Sequence, residues 1–223
     1  MVEELDEPPA TLPAQPPAWQ WRTRTPAIRV YHEHPNRDGT AYRTFGPLAR
    51  FDPHVRDGHQ QPREDPQGRG TLYLAADLAT ALAECYSGQR PEVSICPHAR
   101  AAWMRPSKST TLLDLTGEGA LAIGAPGTLQ WGNEPRRLTQ RWGRRIYEQY
   151  LGLDGIRFQS AHQGGECIVL WERAPALHHL AGGDRRLWAV WSRVAVALAG
   201  QRRTPRRIAA TECARCRDYG FTT

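Results

Sequence analysis

Alternating hydrophobic and polar positions predict where the first strand of this chain begins. Residues 27–32 place Ile28 and Val30 on one face, which is the period of a half-buried strand. Arg29 and Tyr31 share the opposite face. An arginine on a strand is usually a solvated edge residue, but on a strand that faces a cleft it can bind phosphate.

A second strand followed by a helix is predicted directly after Gly70. Residues 71–74 mix β-branched, aromatic and aliphatic side chains, as strands do. Asp77 is a good helix N-cap, and Leu78 and Leu82 lie four positions apart on one helix face. Glu84 lies on this helix away from that apolar stripe. Taken alone, Glu84 is most simply interpreted as a solvated carboxylate.

The rest of the pattern divides the chain into three parts. Residues 1–26 are acidic and then proline-rich, and are expected to be a disordered arm, with Trp19 and Trp21 as candidates for docking onto the domain. Residues 27–175 are the expected catalytic domain, and residues 176–223 a basic helical extension. Further strands are predicted at 92–96, 110–115, 156–160 and 166–171, with a basic linker after the first, and helices at 119–123, 135–151 and 186–199.

Charge and composition narrow the classes of function. The chain has 223 residues and a formal net charge of +6, carried mostly by arginine, which favours anionic partners. The helix predicted at 135–151 has one apolar face and one basic face. The basic face carries Arg136, Arg137, Arg141, Arg144 and Arg145. No apolar run approaches the length of a membrane span, and the N-terminus lacks the order of a signal peptide. Five cysteines at irregular spacing argue against a secreted disulfide framework, so a cytoplasmic location is expected.

Histidine and cysteine spacing leads to an expectation of no metal. Cys213 and Cys216 form a C-x-x-C pair, but no second pair at zinc-finger spacing completes four ligands. The pair at 178–179, two histidines, is a loose candidate for the missing half, while Cys96 and Cys167 are expected to be buried in strands. The histidines at 32, 54 and 59 match no metal motif and are interpreted as loop residues.

Several segments, in this order, resemble the RES domain family, which includes the NAD-degrading toxins of RES–Xre type toxin–antitoxin systems. The matching segments are Arg29-Val30-Tyr31, Gly46-Pro47-Leu48-Ala49-Arg50-Phe51, Leu72-Tyr73-Leu74-Ala75 with Ala81-Leu82-Ala83-Glu84, and Gly155-Ile156-Arg157-Phe158-Gln159-Ser160. A glycine-containing turn and an apolar strand follow the last segment, as in that family. Two departures are a long insertion between Arg50 and Tyr73 and the arginine-rich tail.

The resemblance implies an α+β fold, with a mixed sheet and flanking helices similar to the ADP-ribosyltransferase toxins. It also implies an enzyme that takes NAD as its substrate and cleaves the nicotinamide–ribose bond as an NAD phosphorylase or glycohydrolase. No metal is expected, since the positive charge of nicotinamide already activates it as a leaving group. An antitoxin protein is the expected partner, with the basic helix face as one docking surface. A homo-oligomer is left open, and no membrane association is expected.

The resemblance and the chemistry together assign roles to six residues. Cleavage leaves a cation on the ribose, and the Glu84 carboxylate is the candidate to stabilise it. Arg29 and Arg50 are both candidates for the pyrophosphate clamp. Tyr73, with Tyr31 as a second wall, is the candidate for stacking on nicotinamide, and Ser160 would offer its hydroxyl to ribose or phosphate. Arg50 as a partner of Asp52 or Asp57, Tyr73 as core and Ser160 as a turn residue are the structural alternatives.

Three other functions stay open at this point. The acceptor could be a protein side chain, which would make the enzyme an ADP-ribosyltransferase. The domain could bind a nucleotide without turning it over. The arginine-rich tail could bind nucleic acid, although the chain lacks a recognition helix or a stacking platform, so nucleic acid is the less favoured partner.

Overall fold

The computed structural model describes residues 7–35, 38–55, 61–131 and 135–221. The strands in these ranges are β1 (Ala18–Trp21), β2 (Ala27–His32), β3 (Phe45–Gly46), β4 (Arg63–Glu64), β5 (Thr71–Ala75), β6 (Glu92–Ile95), β7 (Ala99–Pro106), β8 (Thr110–Asp114), β9 (Gly155–Gln159), β10 (Glu166–Trp171), β11 (Leu177–Arg186) and β12 (Thr204–Arg207). The helices are α1 (Leu78–Cys85), α2 (Gly119–Ala122), α3 (Arg136–Gln149), α4 (Trp191–Ala199) and α5 (Ala214–Asp218). Short 3-10 helices lie at Gly127–Gln130, Leu187–Val190 and Ala210–Glu212. Within the described ranges, none of the helices has the length and apolar character needed to cross a bilayer.

Eight strands form one mixed sheet in the order β1-β8-β9-β10-β5-β2-β7-β11. Neighbours run antiparallel except β8 and β9, which are parallel. The β9–β10 hairpin continues into β5, where Val169 lies opposite Tyr73. The predicted α+β class with a mixed sheet and flanking helices is therefore confirmed.

The helix α3 covers one face of this sheet with its apolar side. Trp142 and Ile146 are almost completely buried and belong to the same cluster as Leu113, Ile156 and Val169. Burying side chains of this size stabilises a fold by roughly 1.5–3 kcal/mol each. The predicted spacing-four stripe is confirmed. Of the arginines of α3, Arg136, Arg137 and Arg141 are exposed, whereas Arg144 is half-buried and donates to the His54 carbonyl oxygen.

The helix α1 begins where the sequence predicts. The Asp77 side chain accepts hydrogen bonds from the Thr80 amide and hydroxyl, both at 2.8 Å, which satisfies a donor of the first turn. Leu82 is fully buried in a second cluster, against β6 and α4. These two contacts fix the rotation of α1 and leave Glu84 on its other side.

Six of the twelve strands in the described ranges were not predicted, and β1, β7 and β11 are the three that belong to the large sheet. The strand β1 pairs with β8 and buries Trp21 completely, and Leu12 is also buried, so the expected disordered arm does not extend to residue 26. Residues 1–6 lie outside the described part of the chain. The predicted linker after β6 is instead β7, a strand with neighbours β2 and β11 on its two sides. The extension after residue 175 begins with β11, so it is not purely helical.

The C-terminal segment folds back onto α1 and β6. The strand β12 runs parallel to β6, and α4 packs against α1. Arg203 is buried and donates to the carbonyl oxygens of Tyr86 and Gln89. The basic run of the tail therefore serves internal packing at this position.

Candidate active site

A cavity of about 550 Å³ lies between β2, β5, α1 and the loop that follows β2. This volume is within the range of small-molecule binding sites. Five of the six predicted site residues line it: Arg29, Tyr31, Arg50, Tyr73 and Glu84. Segments far apart in the sequence are thus brought to one place by the pairing of β2 with β5.

Arg29 and Tyr31 point from β2 into this cavity. Arg29 Nη1 donates to the carbonyl oxygens of Gly39 at 2.8 Å and Ala41 at 3.0 Å. The guanidinium lies 5.4 Å from the centre of the Tyr31 ring, and burial lowers the pKa of Arg29. The Tyr31 hydroxyl donates to Asp184 Oδ2 at 2.9 Å, and burial raises the pKa of that hydroxyl. Both side chains are held in place before any ligand arrives.

Arg50 is the more deeply buried of the two predicted arginines, with 7% of its surface exposed. Its guanidinium lies 5.1 Å from the Phe51 ring centre and 4.8 Å from that of Phe158, and Nη2 donates to the Gln159 carbonyl at 2.9 Å. Burial lowers the pKa of Arg50, and the negative charge of Glu84 opposes part of that effect. A cation and the candidate carboxylate are therefore close enough to influence each other.

Tyr73 is fixed by the buried Asp52. The Tyr73 hydroxyl donates to Asp52 Oδ1 at 3.0 Å and accepts from the Phe51 amide at 3.1 Å. Burial, followed by the Asp52 charge, raises the pKa of Tyr73. Its ring contacts the core and also lines the cavity, so core and site roles coexist.

Asp52 was not predicted as a site residue, yet it organises the loop that carries Arg50. It is completely buried and accepts from Arg43 Nη2 at 2.7 Å and from the amides of Leu48 at 2.6 Å and Ala49 at 2.9 Å. The structural alternative that paired Arg50 with Asp52 is therefore wrong, because the arginine that forms the ion pair with Asp52 is Arg43. Asp57 lies outside the described residues.

Glu84 lies in the last turn of α1, with its side chain exposed at the cavity. Among the described residues, neither a hydrogen bond nor an ion pair engages its carboxylate. The second carboxylate of the lining, Asp38, instead accepts from the Thr40 amide and hydroxyl at 2.8 and 2.7 Å. Of the two, Glu84 is the one that the described part of the chain leaves available to a ligand.

Ser160 occupies a different position from the other five. It is buried, and its Oγ accepts from the amides of His162 at 3.1 Å and Gln163 at 3.2 Å. Ala161 and His162 line the cavity from this turn, whereas Ser160 is not part of the lining. Gly165 lets the turn pack on α1, since a Cβ there would overlap the Thr80 hydroxyl. The structure thus gives Ser160 the contacts of a turn residue.

The cavity is strongly cationic. Five arginines are among the described residues that line it. Arg29 and Arg50 were predicted, whereas sequence reasoning missed Arg43, Arg136 and Arg215. Only two carboxylates, Asp38 and Glu84, are among the described residues that line it. The abundance of arginine was a visible signal, but no local pattern distinguishes a cavity arginine from a solvated one. The excess of positive charge favours an anionic ligand.

Four possible metal ligands meet at the edge of this cavity, and His32 is the one of them that also lines it. They are His32, Cys96, Cys213 and Cys216, and their ligand atoms all lie within 4.8 Å of one another. The partners of the C-x-x-C pair are thus His32 and Cys96, whereas the histidines at 178 and 179 are not in the cluster. His32, grouped above with the loop histidines, is the last residue of β2, where the strand predicted at 27–32 also ends. Of the other two histidines, His54 is fully buried and His59 lies outside the described residues.

Comparison with known proteins identifies the family of this chain. The RES domain model matches residues 17–192, which include the whole cavity region except its two C-terminal lining residues. The chain belongs to the RES domain family. The match begins before β1, in agreement with the folded structure of that segment, and it ends within α4. The cysteine pair at 213 and 216 thus lies beyond the RES domain match.

A solved structure has a similar fold to this RES domain protein. It is the MbcT–MbcA toxin–antitoxin complex of M. tuberculosis, which aligns with a TM-score of 0.51 and 16% sequence identity. The alignment covers 78% of this chain and 90% of the other. At this identity the similarity concerns the fold alone. A search of curated proteins finds none that matches this chain.

Proposed function

We propose that this protein consumes NAD by cleaving the bond between nicotinamide and ribose, and that it is the toxin of a toxin–antitoxin pair. Membership in the RES domain family supports the proposal. The observation that supports it most strongly is the position of Glu84, whose carboxylate faces a cavity with five arginines in the described part of its lining.

The charges of this cavity suit both ends of the substrate. The pyrophosphate of NAD is anionic, and arginines bind phosphate oxygens well. The reacting end is a nicotinamide cation, for which a carboxylate and an aromatic ring are the favourable neighbours. Arg29, Arg50 and Arg136 are the proposed pyrophosphate residues, and Tyr73 and Tyr31 the proposed walls for nicotinamide.

Glu84 is the proposed catalytic carboxylate. When the bond between ribose C1′ and the nicotinamide nitrogen breaks, the electron pair leaves with nicotinamide, which becomes neutral. Positive charge then develops on the ribose, and a fixed carboxylate beside it stabilises the transition state more than the ground state. A nucleophile completes the reaction by bonding to C1′.

The acceptor determines the name of the activity. Phosphate gives a phosphorylase, water a glycohydrolase and a protein side chain an ADP-ribosyltransferase. Ser160 is proposed to act by shaping the turn that places Ala161 and His162 at the cavity, because its oxygen already accepts two backbone amides.

An assay of nicotinamide release tests the enzyme. Purified chain is incubated with NAD, with and without phosphate, and the ribosyl product is identified by mass spectrometry. Glu84→Gln is expected to lower the rate about 100- to 1,000-fold, the effect of removing one transition-state electrostatic contact. Glu118→Gln, an exposed glutamate outside the cavity, is the matched control. Equal rates for wild type and Glu84→Gln would refute the proposal.

An antitoxin partner is proposed from the similar fold of a toxin within a toxin–antitoxin complex. Arg136, Arg137 and Arg141 of α3 are exposed and offer a basic surface for it. Inducible expression of the chain alone is expected to stop growth, and Glu84→Gln to restore it. Harmless expression of an NAD-active chain would count against the toxin function but not against the enzyme.

A further inference from the structure

The cluster of His32, Cys96, Cys213 and Cys216 has the composition of a structural zinc site. We propose that these four residues bind one Zn²⁺ and thereby fasten the C-terminal segment to the RES domain. Three thiols and one imidazole are an established ligand set for structural zinc, which is four-coordinate and tetrahedral. The proposal stands independently of the enzyme activity.

The four ligand atoms lie close enough together to share one zinc ion. With zinc–sulfur and zinc–nitrogen bonds of ordinary length, ligand atoms lie about 3.6 to 3.8 Å apart around the metal. All four atoms of the cluster lie within 4.8 Å of one another, and His32 Nε2 is 3.2 Å from Cys216 Sγ. Adjustments of an ångström or less would place every ligand at bonding distance.

The tautomer of His32 is already set for metal binding. Its Nδ1 lies 2.8 Å from the backbone carbonyl oxygen of Glu33, an acceptor that requires a proton on Nδ1. Nε2 then carries the lone pair and faces the thiols. Ligating histidines usually make this second contact, because it orients the ring and raises its basicity.

The surroundings of the cluster also match a structural site. Cys96 and Cys216 are buried, with 3% and 0% of their surface exposed, and Tyr219 and Phe221 flank the His32 ring at 5.6 and 6.0 Å. A purely hydrogen-bonded cluster would gain little, since thiols are weak donors and acceptors. Four protein ligands would complete the coordination of the metal, which favours a structural site over an open catalytic one.

Such a site would join three separate parts of the chain. His32 ends β2, Cys96 follows β6, and the C-x-x-C pair spans the beginning of α5. Arg215, between the two cysteines, and Tyr219 both line the large cavity. The metal would therefore hold one wall of the candidate active site in place.

Metal content of the full chain is the first test. Protein is purified without chelator from zinc-supplemented medium, and its metal content is measured by inductively coupled plasma mass spectrometry. We expect about one zinc per chain. Cys216→Ser and Cys96→Ser are expected to lose it, whereas Cys85→Ser, a cysteine outside the cluster, is expected to keep it. Wild type without stoichiometric zinc, or Cys216→Ser with wild-type content, would overturn the proposal.

A second measurement avoids variants that could misfold. Wild-type protein is stripped of metal and titrated with Co²⁺, which reports tetrahedral thiolate sites by a thiolate-to-cobalt absorption and intense visible bands. The expected bands should disappear when Zn²⁺ is added. Absence of these bands in protein with reduced cysteines would refute the site.

Limited trypsin digestion tests the fastening. In the zinc-bound full chain, cleavage after Arg215 and Arg217 is expected to be slow, and chelation is expected to accelerate it at least tenfold. Equal cleavage rates with and without chelator, in protein shown to contain zinc, would overturn the claim that the metal secures this segment.

Discussion

The Tyr73 hydroxyl donates a 3.0 Å hydrogen bond to the carboxylate of Asp52, which is completely buried. This contact joins β5 to the loop that carries Arg50. Because Asp52 also accepts from Arg43 and from the amides of Leu48 and Ala49, one carboxylate fixes both an aromatic wall and a cation of the cavity.

Replacing Asp52 by asparagine is expected to lower the free energy of unfolding by about 2 kcal/mol, since the buried arginine–carboxylate pair loses one charge. The value is below that of a fully enclosed pair because the Arg43 side chain is 19% exposed. Urea denaturation measures the change. Glu92→Gln, in an exposed ion pair with Arg206, is the control and is expected to cost less than about 1 kcal/mol. Equal losses of unfolding free energy in the two variants would contradict the role of Asp52 in holding this loop.

Arg50→Lys is expected to lower kcat/KM for NAD by about 10- to 100-fold, the effect of losing a charge-assisted hydrogen bond. Lysine cannot stack between two rings while donating to the Gln159 carbonyl. Arg136→Gln, in the exposed beginning of α3, is expected to raise KM about threefold, and only at low salt. Steady-state kinetics at two ionic strengths separate the two positions. A larger loss for Arg136→Gln would make Arg136 the main clamp.

Ser160→Ala is expected to lower the free energy of unfolding by about 1 to 2 kcal/mol, because two turn amides lose their acceptor. If the hydroxyl only shapes the turn, kcat stays within roughly threefold of wild type, a change below 1 kcal/mol. Ser160→Thr keeps the acceptor and serves as the control for stability. A kcat reduced about 100-fold in Ser160→Ala, with normal stability, would instead give the hydroxyl a direct part in the reaction.

Stability is expected to fall as the pH drops below neutrality, in part because of His54. Burial lowers the pKa of this imidazole, although the nearby Asp52 charge opposes the effect. The unfolded chain, with a histidine pKa of about 6.5, then binds the proton more readily than the folded one. The stabilisation that His54 provides is present above about pH 6.5 and is lost as the pH falls towards the pKa of His54 in the folded state.

Unfolding free energies of wild type and His54→Gln from pH 5 to 8 test this expectation. The variant should show a shallower pH dependence, whatever its absolute stability, while His178→Gln, an exposed histidine, should follow wild type. Parallel curves for wild type and His54→Gln would show that His54 makes no contribution.

Local sequence signals determined the element that carries Glu84. A mix of β-branched, aromatic and aliphatic residues, an aspartate N-cap and a four-residue leucine spacing act within a few residues, so β5 and α1 could be predicted without knowledge of their neighbours. The order of the arginine, tyrosine and glutamate motifs likewise indicated the family, which the domain match confirms.

Long-range pairing decided what the sequence alone did not. The segment of β7 resembled a linker, and it is a strand because β2 and β11 offer hydrogen-bonding edges on its two sides. Ser160 lies within a segment that resembles the family, but only the turn geometry directs its oxygen to backbone amides. His32 and Cys96 show no metal-ligand spacing with the C-x-x-C pair, since the ligands come from the ends of separate elements. Spacing along the chain detects sites formed within one segment, whereas this cluster exists only where β2, β6 and α5 meet.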